Sequence, residues 1–154
     1  MRFLYLASQS PRRRQLLDQI GVQHQLLLPD AHEDAEALEA ERPGESPHHY
    51  VRRVTLAKGE AARDRLQRRQ AQGDLLDAPI LCADTTVALG SQILGKPADP
   101  ADAARILRLL SGQTHRVLTA VVVDGQMLVS DSAVTWRELT DDEILRYVAS
   151  GEPM

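Results

Sequence analysis

The residues best suited to chemistry lie in two short polar clusters, Ser8-Gln9-Ser10-Pro11-Arg12-Arg13-Arg14 and Ala83-Asp84-Thr85-Thr86. In the first, a polar turn leads into a helix that Ser10 caps and Pro11 opens. Proline at the first helical position gives up a donor that the helix leaves unpaired anyway. Free N–H groups and the helix dipole already favour an anion there, and arginine forks match phosphate oxygens. A capped helix with a solvated basic first turn would also produce the pattern. Three cations in a first turn oppose the dipole, however, and with no acidic neighbour they point to a bound anion.

The second cluster follows the apolar run Ile80-Leu81-Cys82-Ala83. A carboxylate at the end of a buried strand is costly unless it meets a cation or a donor. Asp84 could hold Mg²⁺ together with phosphate oxygens, or orient and deprotonate water. Taken alone, a strand-end aspartate capping a turn is the simpler reading.

Other groups signal more weakly. Glu33 sits in an acidic stretch with Asp30, Asp34 and Glu36, where a solvated charge run explains most members. Lys58 lies among alanines, free either to snorkel or to reach a phosphate. Lys96 in Gly95-Lys96-Pro97 is a candidate phosphate ligand in a rigid loop. His48-His49 lacks metal-ligand spacing. Cys82, inside an apolar run, reads as an inert core thiol. There is no Walker loop and no Gly-x-Gly-x-x-Gly, so phosphate binding rests on the arginine turn.

The elements that must position these groups alternate between strand and helix. Leu4 to Ala7 reads as a buried strand, followed by a helix from Pro11 to Gly21 with Leu16, Leu17 and Ile20 as its apolar stripe. His24 to Leu28 is a second strand, and Asp30 to Glu45 a solvated loop. Ser46-Pro47 opens a long helix whose inner face carries Tyr50, Val51, Val54, Ala57 and Ala61, while Arg63 to Gln72 extends into solvent. Ile80 to Ala83 is a strand that delivers Asp84 at its end. Val87–Leu89 and Ile93-Leu94 flank a Gly90-Ser91 turn, and Pro100 to Leu110 is a helix. A hairpin through Asp124-Gly125 joins residues 117–123 and 127–136. Thr140 and Glu143 form a capping box for a last helix, Asp141 to Ala149. The pattern predicts an α/β fold, a mixed twisted sheet with flanking helices, with ligands beyond the carboxyl ends of the strands.

Bulk properties bound the function. The 154 residues suit one domain, and 43% hydrophobic content supplies a core. A net charge of −4 gives no global attraction to nucleic acid or anionic membrane, and 3% aromatic content argues against a stacking platform. A single cysteine allows no internal disulfide, which fits a reducing cytoplasm. The N-terminal apolar run is too short for a signal peptide or a membrane span.

Taken in order, Leu6-Ala7-Ser8-Gln9-Ser10-Pro11-Arg12-Arg13, Tyr50-Val51-Arg52-Arg53, Ala57-Lys58, Ala83-Asp84-Thr85-Thr86-Val87, Gly95-Lys96-Pro97, Leu110-Ser111-Gly112-Gln113-Thr114-His115, Tyr147-Val148 and Gly151-Glu152-Pro153 resemble the Maf proteins. These are nucleoside triphosphate pyrophosphatases related in fold to the inosine triphosphatases. The resemblance implies hydrolysis of a nucleoside triphosphate to a monophosphate and pyrophosphate with Mg²⁺ or Mn²⁺. It assigns Asp84 as the water-activating carboxylate and Ser8, Arg12 and Arg13 as phosphate ligands. It places Glu33, Lys58 and Lys96 in the metal and phosphate site, with Glu33 and Asp84 on the metal. Thr85, with arginine at position 12, matches the subgroup acting on dTTP and UTP, and makes Thr85 a substrate-binding residue.

Two features depart from the family pattern. His32 stands where an acidic residue is usual, and the chain ends at Met154 where relatives continue into further strands. The resemblance therefore implies an exposed apolar edge, reduced activity, and a homodimer as one way to cover that edge. A second reading follows: a non-catalytic nucleotide- or partner-binding protein linked to septum formation and cell division.

Overall fold

In the computed structural model, which describes residues 2–152, the elements run β1 (Leu4–Leu6), α1 (Pro11–Gln19), β2 (His24–Leu26), a 3-10 turn (Glu36–Glu39), α2 (Pro47–Gln72), β3 (Ile80–Leu89), β4 (Gln92–Leu94), α3 (Pro100–Leu110), β5 (Thr114–Val123), β6 (Gln126–Thr135) and α4 (Asp141–Ala149). The strands form one six-stranded sheet in the order β2-β1-β3-β5-β6, with β4 paired to β3. β1 is parallel to both β2 and β3, and β4 is antiparallel to β3, so the sheet is mixed and the fold α/β, as expected. Of the quoted motif residues, Pro153 lies outside the described residues, as do Met1 and Met154.

The chain divides into two compact units, Met1–Asp84 with Thr119–Val129, and Thr85–Leu118 with Ser130–Met154. In the first, Tyr5, Leu27, Ala62, Leu66, Ala78, Ile80, Cys82 and Val122 form the core. The Tyr5 hydroxyl donates to the Leu76 carbonyl at 2.7 Å, which lets a phenol be buried without an orphaned donor. α2 lies close to β5, because a Cβ on Gly59 would come within 3.2 Å of Val122 Cγ1. In the second unit, Ala104, Leu107 and Ile144 are buried together, with Trp136, Leu139 and Val148 packed against them. Thr140 and Glu143 make the expected capping box of α4. The hairpin turn uses positive φ at Asp124 (48°) and Gly125 (81°), as the Asp-Gly pair predicts.

The structure differs from the sequence reading in four places. Leu16 and Ile20 stay exposed, so α1 buries only Leu17 of its expected stripe. The far end of α2 does not project free into solvent: Arg65 and Leu66 are buried, because acidic residues of the preceding loop come over to meet its arginines. The solvated loop contains a 3-10 turn. Finally, β3 does not stop before Asp84. The β-branched Thr85, Thr86 and Val87 carry the strand on to Leu89, and the last three residues pair with β4.

Candidate active site

The turn after β1 is built around one hydroxyl. Ser8 Oγ accepts from the Ser10 backbone N–H at 3.2 Å and from Arg13 Nη1 at 3.1 Å. The Ser10 side chain accepts from the Arg13 N–H and caps α1, whose first residue is Pro11. The guanidinium of Arg13 is thus folded back over the N-terminus of its own helix. Arg12 and Arg14 are exposed beside it.

Register places Asp84 just past the carboxyl end of β1, from which the turn departs. β1 and β3 are parallel neighbours, with Leu6 opposite Leu81 and the Ala7 N–H donating to the Leu81 carbonyl. Ser8 follows Leu6 by two residues and Asp84 follows Leu81 by three. Asp84 also falls in the even-numbered row of β3, whose other members Ile80, Cys82, Thr86 and Ala88 are buried. A carboxylate in that row needs a partner, and α2 provides one: Lys58 Nζ donates to Asp84 Oδ1 at 3.1 Å. Both side chains are largely buried, at 16% exposure for Asp84 and 24% for Lys58.

Lys58 has a second partner that the sequence did not single out. Glu39, in the last position of the 3-10 turn, accepts from the same ammonium at 2.7 Å. Burial pulls the Lys58 pKa down, but the carboxylates of Glu39 and Asp84 outweigh it and leave the value above normal. The ammonium is therefore charged at any pH near neutrality. The cluster extends to Tyr50, whose phenol is pushed up by burial and by the nearby charges of Asp84, Glu39 and Glu41. Glu39 is one acidic residue in a run of them, and nothing in the sequence ties it to a lysine nineteen positions later.

Glu33 stands in a different network. Both of its oxygens accept from the Arg65 guanidinium, at 3.0 and 2.9 Å, and Oε2 also accepts from the Asp30 N–H at 2.8 Å. Arg68 approaches within 3.2 Å. The Arg65 hydrogen bonds lead in holding the Glu33 carboxyl down at about 2, against the opposing effect of burial. Asp30 pairs with Arg69 at 2.7 Å. Glu33 thus joins the loop to α2, and a metal would gain it only in exchange for Arg65.

Thr85 and Lys96 belong to the second unit. Thr85 is exposed in β3 and Lys96 is exposed in the loop between β4 and α3. Cys82 is fully buried, and its thiol is pushed up to about 11 by burial against the pull of Arg65, Lys58 and Arg13. It is inert, as the sequence suggested.

Divalent metal can be tested against this donor set. Among the described residues, no three His, Cys, Asp or Glu side chains gather in a metal-binding group. A divalent ion here would draw on one or two carboxylates and complete its shell with water and substrate phosphate, a donor set that Mg²⁺ accepts. Asp84 has one oxygen on Lys58, and a second carboxylate, Glu39, lies across that same ammonium.

Residues 3–154 match the Maf-like protein family. A dTTP/UTP pyrophosphatase of Cupriavidus metallidurans is 63% identical over 155 aligned residues, covering 98% of this chain and 76% of that protein. The dTTP/UTP pyrophosphatase of Cupriavidus pinatubonensis is 58% identical, covering 99% and 76%. That of Burkholderia thailandensis is 57% identical, covering 98% and 73%. No helix among the described residues is long and apolar enough to cross a membrane.

Proposed function

Since the chain belongs to the Maf family, we propose that it hydrolyses nucleoside triphosphates, dTTP and UTP foremost, to the monophosphate and pyrophosphate. The observation that carries this reading is the shared register of the arginine turn and Asp84 on adjacent parallel strands. One group attracts a polyanion and the other can direct water at it.

In this reading Arg13 and Arg12, with the N-terminus of α1, hold phosphate oxygens and neutralise their charge. Ser8 fixes Arg13 in place beforehand, which limits the entropy lost when substrate binds. Lys58 serves two roles: it keeps Asp84 in the buried row of β3 and presents its ammonium to a phosphate. Asp84 accepts the proton of a water aimed at the α-phosphorus. Phosphoryl transfer is limited by positioning and charge neutralisation more than by covalent catalysis. A bound Mg²⁺ or Mn²⁺ would polarise the phosphate and offset its charge, with Asp84 as the carboxylate available to it. For Glu33 to join Asp84, its carboxylate must leave Arg65. Thr85 and Lys96 enter this reading on their family motifs alone, as substrate-binding residues. A reducing cytoplasm is the setting in which such an enzyme would meet its substrates.

The test is a pyrophosphate-release assay over the common nucleoside triphosphates with Mg²⁺, Mn²⁺ and no metal. Release from dTTP and UTP above the purine nucleotides supports the assignment. Binding without turnover on every substrate would favour a nucleotide-binding role without catalysis.

A further inference from the structure

The site carries a carboxylate that neither the family motifs nor the proposed chemistry requires, placed where substrate phosphate should bind. Lys58 can donate three hydrogen bonds, and the structure directs one to Asp84 and one to Glu39. The two carboxylates differ in setting. Asp84 is fixed in a central strand with its side chain 16% exposed, whereas the Glu39 side chain is 50% exposed.

The backbone that bears Glu39 is clamped. The Tyr50 hydroxyl donates to the Glu39 carbonyl at 2.6 Å, and Arg53 Nη2 donates to the Ala40 carbonyl at 2.7 Å. Arg53 is itself held by both oxygens of Glu45, at 2.6 and 2.8 Å. Glu39 can therefore leave Lys58 by a change of side-chain rotamer, with no movement of the segment. An exposed carboxylate on a largely buried ammonium is the arrangement expected of a replaceable anion. A phosphate oxygen offers the same charge-assisted acceptor with greater negative charge.

Resting on the pyrophosphatase reading of the site, we propose that Glu39 is a built-in competitor for the polyphosphate: it occupies Lys58 in the free protein and must be displaced when substrate binds. Glu39 then gates Lys58: a ligand binds tightly there only where its anion outcompetes a carboxylate.

The gate can be read by binding alone, separately from turnover. Inorganic tripolyphosphate is titrated calorimetrically into the wild type, Glu39→Gln, Lys58→Met and the double variant. Removal of an exposed competing charge should tighten tripolyphosphate binding roughly two- to fivefold. The gain should vanish in the Lys58→Met background, since the competition is for that ammonium. In the assay with dTTP, KM should fall by the same factor as the binding constant. Glu39→Ala repeats the measurement without the amide. Binding that is unchanged or weaker in both Glu39 variants overturns the proposal, as does a gain that persists without Lys58. Weaker Mn²⁺ binding by Glu39→Gln, with no tighter tripolyphosphate, would make Glu39 a metal ligand instead and likewise overturn it. If the wild type binds tripolyphosphate but releases no pyrophosphate from any nucleotide, the functional reading fails while the gate is still tested.

Discussion

Two carboxylate–cation clusters hang on α2, and they are built to opposite standards. Around Glu33 every charge is matched: a bidentate guanidinium, a second arginine, a backbone N–H and a neighbouring Asp30–Arg69 pair. Around Asp84 the pairing is sparse. One ammonium is shared between two carboxylates by single-point bonds, and one of the carboxylates faces solvent. A saturated cluster has no valence left for a ligand and serves the fold. An undersatisfied one, beside a basic turn, is ready to exchange partners. Counting unclaimed donors and acceptors separates the two more sharply than counting charges.

The contrast is broken most severely at Arg65. This side chain is buried and also donates to the Leu27 carbonyl at 2.9 Å. Arg65→Ala should cost about 3–5 kcal/mol of stability by removing the bidentate partner of a largely buried carboxylate, read as a lowered midpoint in urea denaturation. A loss below about 1 kcal/mol would mean that Glu33 is not structurally committed.

Lys58→Met should act on the ligand instead. Loss of a charge-assisted bond to phosphate is worth about 1.5–3 kcal/mol, so affinity for a nucleotide should fall roughly ten- to a hundredfold. The same variant leaves the largely buried Asp84 without its cation, so its urea midpoint should fall as well, but by less than in Arg65→Ala, which removes a bidentate pair and the bond to the Leu27 carbonyl together.

The smallest effect is in pH. The Glu33 carboxyl is lowered from 4.5 to about 2 by folding. A depressed carboxylate contributes stability that is present above its unfolded value and lost as pH falls through its folded value. Stability should therefore decline between about pH 4.5 and 2 as Glu33 takes up its proton. Glu33→Gln should flatten that part of the profile; an unchanged slope would remove Glu33 from the account.

The fold was largely legible because its punctuation is local. Ser10-Pro11, Ser46-Pro47 and Thr140 with Glu143 each mark a helix start by its cap chemistry, and all three appear as helix N-termini. Asp124-Gly125 marks the hairpin for the same reason. What escaped is non-local. Asp84 lies inside a strand because β-branched threonines follow it and β4 supplies partners. The far end of α2 looked solvated because its arginines find their acids in a loop more than thirty residues earlier. Glu39 had no distinguishing neighbour at all. Its role emerges only when the loop is laid over α2, as Tyr50 and Arg53 hold it there.

The most direct measurement pairs two readouts on Asp84→Asn. If the arginine turn grips the polyphosphate and Asp84 directs the attacking water, this variant should still bind tripolyphosphate, while pyrophosphate release from dTTP falls by at least ~10²-fold. Release within tenfold of the wild type, with binding intact, would show that the water is activated elsewhere and would contradict the account.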